Sequence, residues 1–376
     1  MIRRVLTYLW IFVTTVFPFS VHPADLTDWL SFSGSVTGVY QWLSRSRGDV
    51  EKRDRGSSVI DFNLSLRPSK NDEFLVRASF AKGNGLKKDN QFHLSPNADD
   101  LFDDLHNING HPRDHLQELW YSHKFEIGKE TFLRLRGGII DSSGLIDDNI
   151  FAADELHQFM NEALVHNPLA NLPSYDAGVA VEFEQDRFHL RLVGMVSKNE
   201  NEQMDVKNYS WVGAQIGYKL ETSLGEGNYR LYGYTTNRRF ENWDADAYKS
   251  LKGFGISFDQ SLIKDRLGAF FRAGWQDDSA KVDYNKMISF GLNLNGSVWG
   301  RKDDEIGIGY AYLKSPSRNE ELRKSQVFEG YVKFKLLEYK FLNSDITFDY
   351  QYIGERLRRE GERSGHVYGT RFNINF

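Results

Sequence analysis

Apolar and polar residues alternate one by one along much of the chain. In residues 31–42 the even positions hold Phe32, Gly34, Val36, Gly38, Tyr40 and Trp42, and the odd positions are mostly Ser, Thr and Gln. A period of two places the two sets on opposite faces of a β-strand. The same pattern predicts about 16 strands, most of them long enough to cross a membrane at a tilt. They start near residues 31, 58, 73, 116, 131, 177, 187, 209, 228, 251, 266, 286, 305, 326, 344 and 366.

The predicted connections alternate between short and long. Short connections cover residues 68–72, 126–130 and 185–186, and long ones cover residues 43–57, 84–115 and 139–176. Barrels of the bacterial outer membrane have short periplasmic turns and longer external loops. We therefore predict an all-β fold, a transmembrane antiparallel β-barrel of about 16 strands with the long third external loop folded into the lumen. A soluble β-sandwich is the alternative, and it would need no such asymmetry of connections.

Both ends of the chain are consistent with export to that membrane. Arg3 and Arg4 precede an uncharged, largely apolar stretch from 5 to 21, which is typical of a signal peptide. We predict a signal peptide over residues 1–24 and a single barrel domain over residues 25–376, with an uncleaved anchor helix as the alternative.

The last strand places Tyr368, Thr370, Phe372, Ile374 and Phe376 on one face. An alternating final strand that ends in Phe resembles the C-terminal signature of outer-membrane barrels.

Composition agrees with a barrel once the alternation is taken into account. The mean hydropathy is −0.53 and 26% of the residues are charged, values that by themselves would suggest soluble domains. In a barrel they average a lipid-facing set and a water-facing set. The sequence has no cysteine, which excludes disulfides and thiolate metal or redox sites. A formal charge of −5 and the lack of a dense Lys/Arg run argue against a nucleic-acid partner.

Signatures of enzymes and of metal sites are weak. No GxSxG, P-loop or GxGxxG motif occurs, so we expect neither catalysis nor a cofactor. The stretch 84–115 is rich in acids and histidines, which are Asp99, Asp100, Asp103, Asp104, His106, His111 and His115. Their spacing matches neither an EF-hand loop nor an HExxH motif. We predict a solvated external loop there and no metal.

The residues opposite the apolar face include many arginines. The predicted pore-lining residues are Arg67, Arg77, Arg134, Arg136, Arg191, Arg230, Arg272 and Glu118. Their polarity indicates a water-filled lumen, and about 16 strands are enough to enclose a channel. Each arginine could be a solvated wall residue or part of a local ion pair. The sharper hypothesis is a row of arginines that donate hydrogen bonds to passing solutes.

The long connection at 139–176 is acidic and contains no Lys or Arg. The predicted constriction residues within it are Asp141, Asp147, Asp148, Asn149, Asp154 and Glu155. An acidic loop that faces an arginine wall would set up a transverse field across the channel, which selects solutes by charge. Because the loop also carries many apolar residues, we favour packing inside the barrel over an external surface loop.

Residues 138–168 resemble the carbohydrate-selective porin family (OprB-type). Its motifs are matched at Gly138, Asp141, Asp147 or Asp148, Asn149, Ala152, Asp154, Glu155, Gln158, Phe159, Asn161, Asn167 and Pro168. Looser matches lie at 80–86, 253–260 and 300–307. Position 139 is Ile, where the family often has Lys beside the constriction.

The resemblance implies passive uptake of small solutes, above all carbohydrates, across the outer membrane of a Gram-negative-type bacterium. The implied partners are the solutes themselves and the lipid of that membrane, and a homotrimer is a common assembly of such porins. Two alternatives remain at this point. One is a general or ion-selective porin without sugar preference, and the other is a barrel scaffold or receptor for a partner protein.

Overall fold

The computed structural model describes residues 24–27, 29–87, 91–99, 101–102, 115–197, 208–339 and 342–376. The predicted signal peptide, apart from Ala24, lies outside the described residues. So do Asp100, Asp103, Asp104, His106 and His111 of the predicted external loop.

Sixteen long strands of the described chain form one closed antiparallel sheet. They are β1 (Leu30–Arg47), β2 (Arg53–Ser69), β3 (Asp72–Lys82), β4 (Leu116–Gly128), β5 (Thr131–Ile140), β6 (Asp176–Gln185), β7 (Phe188–Ser197), β8 (Tyr209–Glu221), β9 (Glu226–Thr236), β10 (Lys252–Ile263), β11 (Leu267–Gln276), β12 (Lys286–Asn295), β13 (Glu305–Lys314), β14 (Leu322–Tyr339), β15 (Leu342–Leu357) and β16 (Glu362–Asn375). Each strand pairs with the next, and β16 pairs with β1. The predicted barrel of about 16 strands is confirmed.

The last strand closes the barrel in the register that the sequence pattern requires. Tyr368 lies opposite Trp42, and Phe372 lies opposite Gly38, so that the apolar sets of both strands share the outer face. The backbones of Gly34 and Phe376 exchange two hydrogen bonds of 2.8 and 2.9 Å. The C-terminal residue is therefore part of the sheet.

The two faces of the sheet have the opposite polarity to those of a soluble barrel. On β12, Ile288, Phe290 and Leu292 are 40%, 46% and 39% exposed, whereas Met287 and Ser289 are almost completely buried. Exposed apolar positions alternate with buried ones because successive side chains point to opposite faces of a strand. An apolar outer surface of this kind matches a lipid environment.

Short and long connections alternate around the barrel as predicted. Residues 70–71, 129–130 and 186–187 are short turns, and 83–115 and 141–175 are long connections. The first connection, predicted over residues 43–57, is shorter than expected and covers only 48–52. The two flanking strands extend further than the apolar pattern, because their outer ends carry charged and polar residues that still pair in register.

Smaller elements accompany the sixteen long strands. Ala24–Thr27 pairs with β1, and Phe240–Glu241 forms a two-stranded hairpin with Tyr248–Lys249. Short helical turns cover Glu162–Val165, Pro168–Ala170 and Gly296–Trp299. No helix within the described ranges is long and apolar enough to cross a membrane.

Candidate functional site

The connection between β5 and β6, called here the β5–β6 loop (residues 141–175), packs against the side of the wall that faces away from the exposed apolar residues. Phe159, Met160 and Leu164 of the loop are fully buried. Phe159 and Leu164 belong to one apolar cluster with wall residues such as Val327 and Tyr331. The apolar content that distinguishes this loop in the sequence is therefore used in packing.

Strand β11 is shaped to receive the loop. A Cβ atom at Gly268 would come within 2.1 Å of the Phe151 ring, and one at Gly274 would come within 2.2 Å of the Asn167 amide. Both glycines lie on the same face as Arg272, since residues four and two positions apart share a face. Side chains larger than hydrogen at these two positions would displace the loop.

Arg272 connects three parts of the β5–β6 loop. Its Nε lies 3.2 Å from the Asp147 carboxylate, and its guanidinium also donates to the carbonyl oxygens of Asp147, Ala152 and Leu164. Arg272 and Asp147 are both fully buried. Arg272, predicted to line the pore, and Asp147, predicted at the constriction, are thus buried against each other instead of facing open water.

Asp148, the next residue, pairs with a different part of the wall. Its carboxylate lies 3.3 Å from Arg191 and 2.9 Å from Arg230, and it accepts a 3.0 Å hydrogen bond from Gln215. Burial raises the pKa of Asp148, but the two arginines outweigh it and hold that pKa below its ordinary value. Arg230 also pairs with Asp259 at 2.6 Å, so it bridges the loop and β10.

The second half of the loop is held by residues that sequence reasoning did not select. Glu329 accepts hydrogen bonds from the backbone N–H groups of Met160 and Asn161. The Asn161 side chain donates to Gln351 at 3.0 Å. Glu329 and Gln351 occupy inward positions of β14 and β15, so the period of two marks their face, but it cannot indicate that a loop lies against them.

A cavity of about 840 Å³ lies between the β5–β6 loop and the opposite part of the wall. Its acidic lining residues are Asp61, Asp99, Asp141, Asp148, Asp154, Glu155 and Glu162, and its arginines are Arg77 and Arg230. Arg77 pairs with Glu118 at 2.9 Å and donates to Asn63 at 2.7 Å. Carboxylates therefore outnumber arginines around the open space.

The comparisons with known proteins agree with this architecture. Residues 69–376 match the family model described as carbohydrate-selective porin, OprB family. The chain belongs to the carbohydrate-selective porin (OprB) family. It is an outer-membrane porin, and its location is the bacterial outer membrane.

One relative and two solved structures match the chain over most of its length. A protein of Aquifex aeolicus (strain VF5), described as uncharacterized, is 31% identical over 329 residues, which cover 86% of this chain and 90% of that protein. The high pH structure of Pseudomonas putida OprB has a TM-score of 0.71 at 14% identity and covers 93% of this chain and 94% of its own. OmpT of Vibrio cholerae has a TM-score of 0.54 at 12% identity, with 92% and 97% covered. The two structures support the fold.

The remaining predicted wall residues of the porin do not meet the β5–β6 loop in ion pairs. Arg136 pairs with Glu182 at 3.1 Å and lies over the Trp120 ring. Arg67 pairs with Glu73 at 3.0 Å and is half-exposed. Together with Arg134, it lines a separate pocket at the short-turn end of the barrel.

Asn149, Asp141 and Asp154 organise the porin's loop locally. The Asn149 amide donates to Ser257 and to the carbonyl oxygen of Phe258 on β10, at 3.3 and 3.1 Å. Asp141 accepts hydrogen bonds from Ser143. Asp154 accepts from the backbone of Leu156 and lies 2.9 Å from the His157 ring. Asp141 and Asp154 also line the cavity.

Glu155 has a strongly perturbed carboxyl group. Burial, followed by the neighbouring charges of Asp154 and Asp99, raises the pKa of Glu155 to about 8. Its own carbonyl oxygen accepts a hydrogen bond from Arg371 on β16. Glu155 therefore adds a negative charge to the cavity as the pH rises through about 8.

Residue 139 lies on the outer face of the wall. Ile139, at the position where the family often has Lys, pairs in register with Leu119 and Ala177, whose side chains are exposed on the outer face. A lysine there would point away from the cavity.

Within the described parts of the porin, no group of three or more His, Asp or Glu residues could hold a metal ion.

Proposed function

We propose that small polar solutes, with carbohydrates as the preferred class, diffuse passively through the cavity beside the β5–β6 loop. In this proposal the loop lies within the lumen and forms the constriction. The cavity of about 840 Å³ carries the proposal. A space of this size is comparable to the range of ~300–1,000 Å³ of small-molecule sites.

The lining of the cavity suits neutral hydroxyl-rich solutes. It combines amide groups at Asn63 and Gln117 with hydroxyl groups at Ser143 and Tyr175. Sugar hydroxyls both donate and accept hydrogen bonds, so such a mixed lining can exchange bonds with them as they pass. The excess of carboxylates would repel anions of similar size and admit neutral solutes and cations.

Conductance and swelling measurements test this function. The purified porin is reconstituted in planar bilayers, where we expect stable channels whose ion current falls when a sugar is titrated in. In proteoliposomes we expect faster swelling with monosaccharides than with amino acids or anions of matched size. A barrel that folds but never conducts would contradict the porin function. Equal swelling rates for all solutes would reduce the proposal to a general porin.

We also propose that residues 1–24 are removed as a signal peptide and that the apolar outer wall supports a homotrimer. Flat, exposed apolar surfaces such as those of β12 can be covered either by lipid or by another barrel. N-terminal sequencing of the protein from outer membranes tests the cleavage. Light scattering of the detergent-purified porin, corrected for bound detergent, tests the assembly, and a monomer mass would contradict the trimer.

A further inference from the structure

Four basic residues lie side by side on one rung of the barrel. Lys286 on β12 is the register partner of Lys314 on β13, which is in turn the partner of Lys324 on β14. Lys324 is the partner of Arg356 on β15. Here these four residues are called the cationic row. They connect four neighbouring strands at a single height.

The cationic row faces outward, at the end of the barrel where the long connections lie. Lys286 and Ile288 belong to the same exposed set of β12, and Lys314 is the last residue of β13 before the connection at 315–321. Four residues further along each of these strands, toward the middle of the wall, the outward residue is aromatic. These residues are register partners from strand to strand: Phe290, Tyr310, Phe328 and Tyr352. Aromatic girdles mark the interface between the hydrocarbon and the headgroups. The cationic row therefore lies at headgroup level.

Within the protein, this arrangement is electrostatically unfavourable. Like charges directly opposite each other on neighbouring strands destabilise a sheet. None of the four forms an ion pair with a carboxylate in the described part of the chain, although Lys324 lies over the Tyr312 ring. Glu362, the register neighbour of Arg356, pairs instead with Arg47. An anion from outside the protein would relieve this repulsion.

A groove of about 470 Å³ adjoins one end of the cationic row. It is lined by Lys324, Arg356, Arg47 and Arg363 together with Gln326, Tyr352 and two carboxylates. Of these carboxylates, Glu362 pairs with Arg47 and Glu355 pairs with Arg363. Lysine, arginine and amide groups donate hydrogen bonds, and arginine presents its donors in a fork that fits phosphate oxygens. The groove thus offers several donors at the level where lipid headgroups lie.

The run of paired cations ends at Trp275, the partner of Lys286 on β11, and at Glu362, the partner of Arg356 on β16. At the corresponding end of β7 and β8, the paired outward residues are Val196 and Ser210, which carry no charge.

We propose that the cationic row binds the phosphate groups of the outer-leaflet glycolipid. Its four side chains would contact the phosphates at the membrane surface, while the aromatic and aliphatic residues beneath contact the acyl chains. Basic clusters beside a membrane bind anionic headgroups in this manner. The inference concerns the outer wall and is independent of which solute passes through the cavity.

Lipid binding to the detergent-purified full-length porin tests the proposal. Diphosphoryl lipid A is titrated in, and the bound lipid is counted by native mass spectrometry. The test variant carries K286Q, K314Q, K324Q and R356Q. The matched control carries K129Q, K264Q, R266Q and K302Q, which neutralise four exposed cations at the short-turn end. We expect the control to bind like the wild type and the test variant to bind at least tenfold more weakly.

Two further arms identify the ligand. Lipid A without phosphates should bind equally weakly to all three proteins. Inorganic phosphate, added at the same phosphate concentration, should not displace bound lipid A. Equal lipid A affinity of the test variant and the wild type would overturn the proposal. Displacement by inorganic phosphate would also overturn it, by assigning the row to free anions.

A folding control accompanies these measurements. Electrophoretic mobility without heating reports a closed barrel, and single-channel conductance reports an open pore. We expect both to be unchanged in the test variant, because none of its four residues lines the cavity. If the quadruple variant does not fold, the pair K314Q and R356Q replaces it, with a smaller loss of affinity expected.

Discussion

Replacing Arg272 with Met tests whether the β5–β6 loop is held in place by a buried charge pair. The change removes the donors to Asp147, Ala152 and Leu164 while the barrel strand itself is kept. Removing one partner of a buried ion pair costs about 3–5 kcal/mol, because the other charge is left uncompensated. Since about 1.4 kcal/mol corresponds to a factor of ten, ~4 kcal/mol changes the ratio of docked to undocked loop roughly a thousandfold.

Single-channel recording is the assay for this loss. We expect R272M to show a larger and more variable conductance than the wild type, together with weaker block by sugar, because in the proposed function it is the docked loop that narrows the channel. Unheated electrophoretic mobility checks that the barrel remains closed. The matched control is R266Q, an exposed cation in the turn before the same strand.

A double-mutant cycle separates the charge pair from general damage. D147N removes the buried charge but keeps an acceptor for the Asn167 backbone, and Asn tolerates the left-handed conformation of this residue (φ 63°). We expect R272M combined with D147N to be less disruptive than the sum of the two single changes, because contacting residues couple. Strict additivity, or wild-type conductance in R272M, would refute the argument that this pair holds the loop.

Two other predictions concern the same loop. The pKa of Glu155 is about 8, above the ordinary 4.5, so its negative charge appears as the pH rises through 8. Cation selectivity should increase as that charge appears. The stability that the protonated carboxyl gives the docked loop at low pH should be lost as the pH rises from 4.5 to about 8. Reversal potentials of E155Q should lack this change, and an identical pH profile in E155Q and the wild type would assign the titration elsewhere. Gly274→Val should undock the loop and raise the conductance. Gly194→Val should leave the conductance unchanged, because a Cβ atom there would meet only the Val179 side chain, at 4.0 Å. If both valine variants conduct like the wild type, the loop does not depend on the close contact at β11.

Much of the barrel was predictable because its signal is local. The even positions from Phe32 to Trp42 and the run from Phe290 to Leu292 alternate with a period that only a strand produces. The predicted number of strands and the alternation of connection lengths are confirmed by the closed sheet. The ends of β1 and β2 were missed, because beyond the membrane the outward positions become polar and the alternation disappears.

The sequence could single out the loop acids and the wall arginines as candidates, but it could not predict how they pair. Asp147 and Asp148 are neighbours in the sequence, yet one is buried against Arg272 and the other pairs with Arg191 and Arg230. The partners of Asp147 lie up to 125 positions away along the chain. A period of two indicates which face a side chain occupies, but neither its height on the wall nor what lies opposite.

The sequence by itself determined the strands, their inward and outward faces and the acidic character of the loop, because each depends on neighbouring residues. Only the tertiary structure decided that the arginines of β7, β9 and β11 neutralise loop acids at contact distance, while Asp141, Asp154 and Glu155 line the open cavity. It also placed Lys286, Lys314, Lys324 and Arg356 on one rung. Closure of the sheet sets the register between strands, and register brings together charges that are distant in the chain.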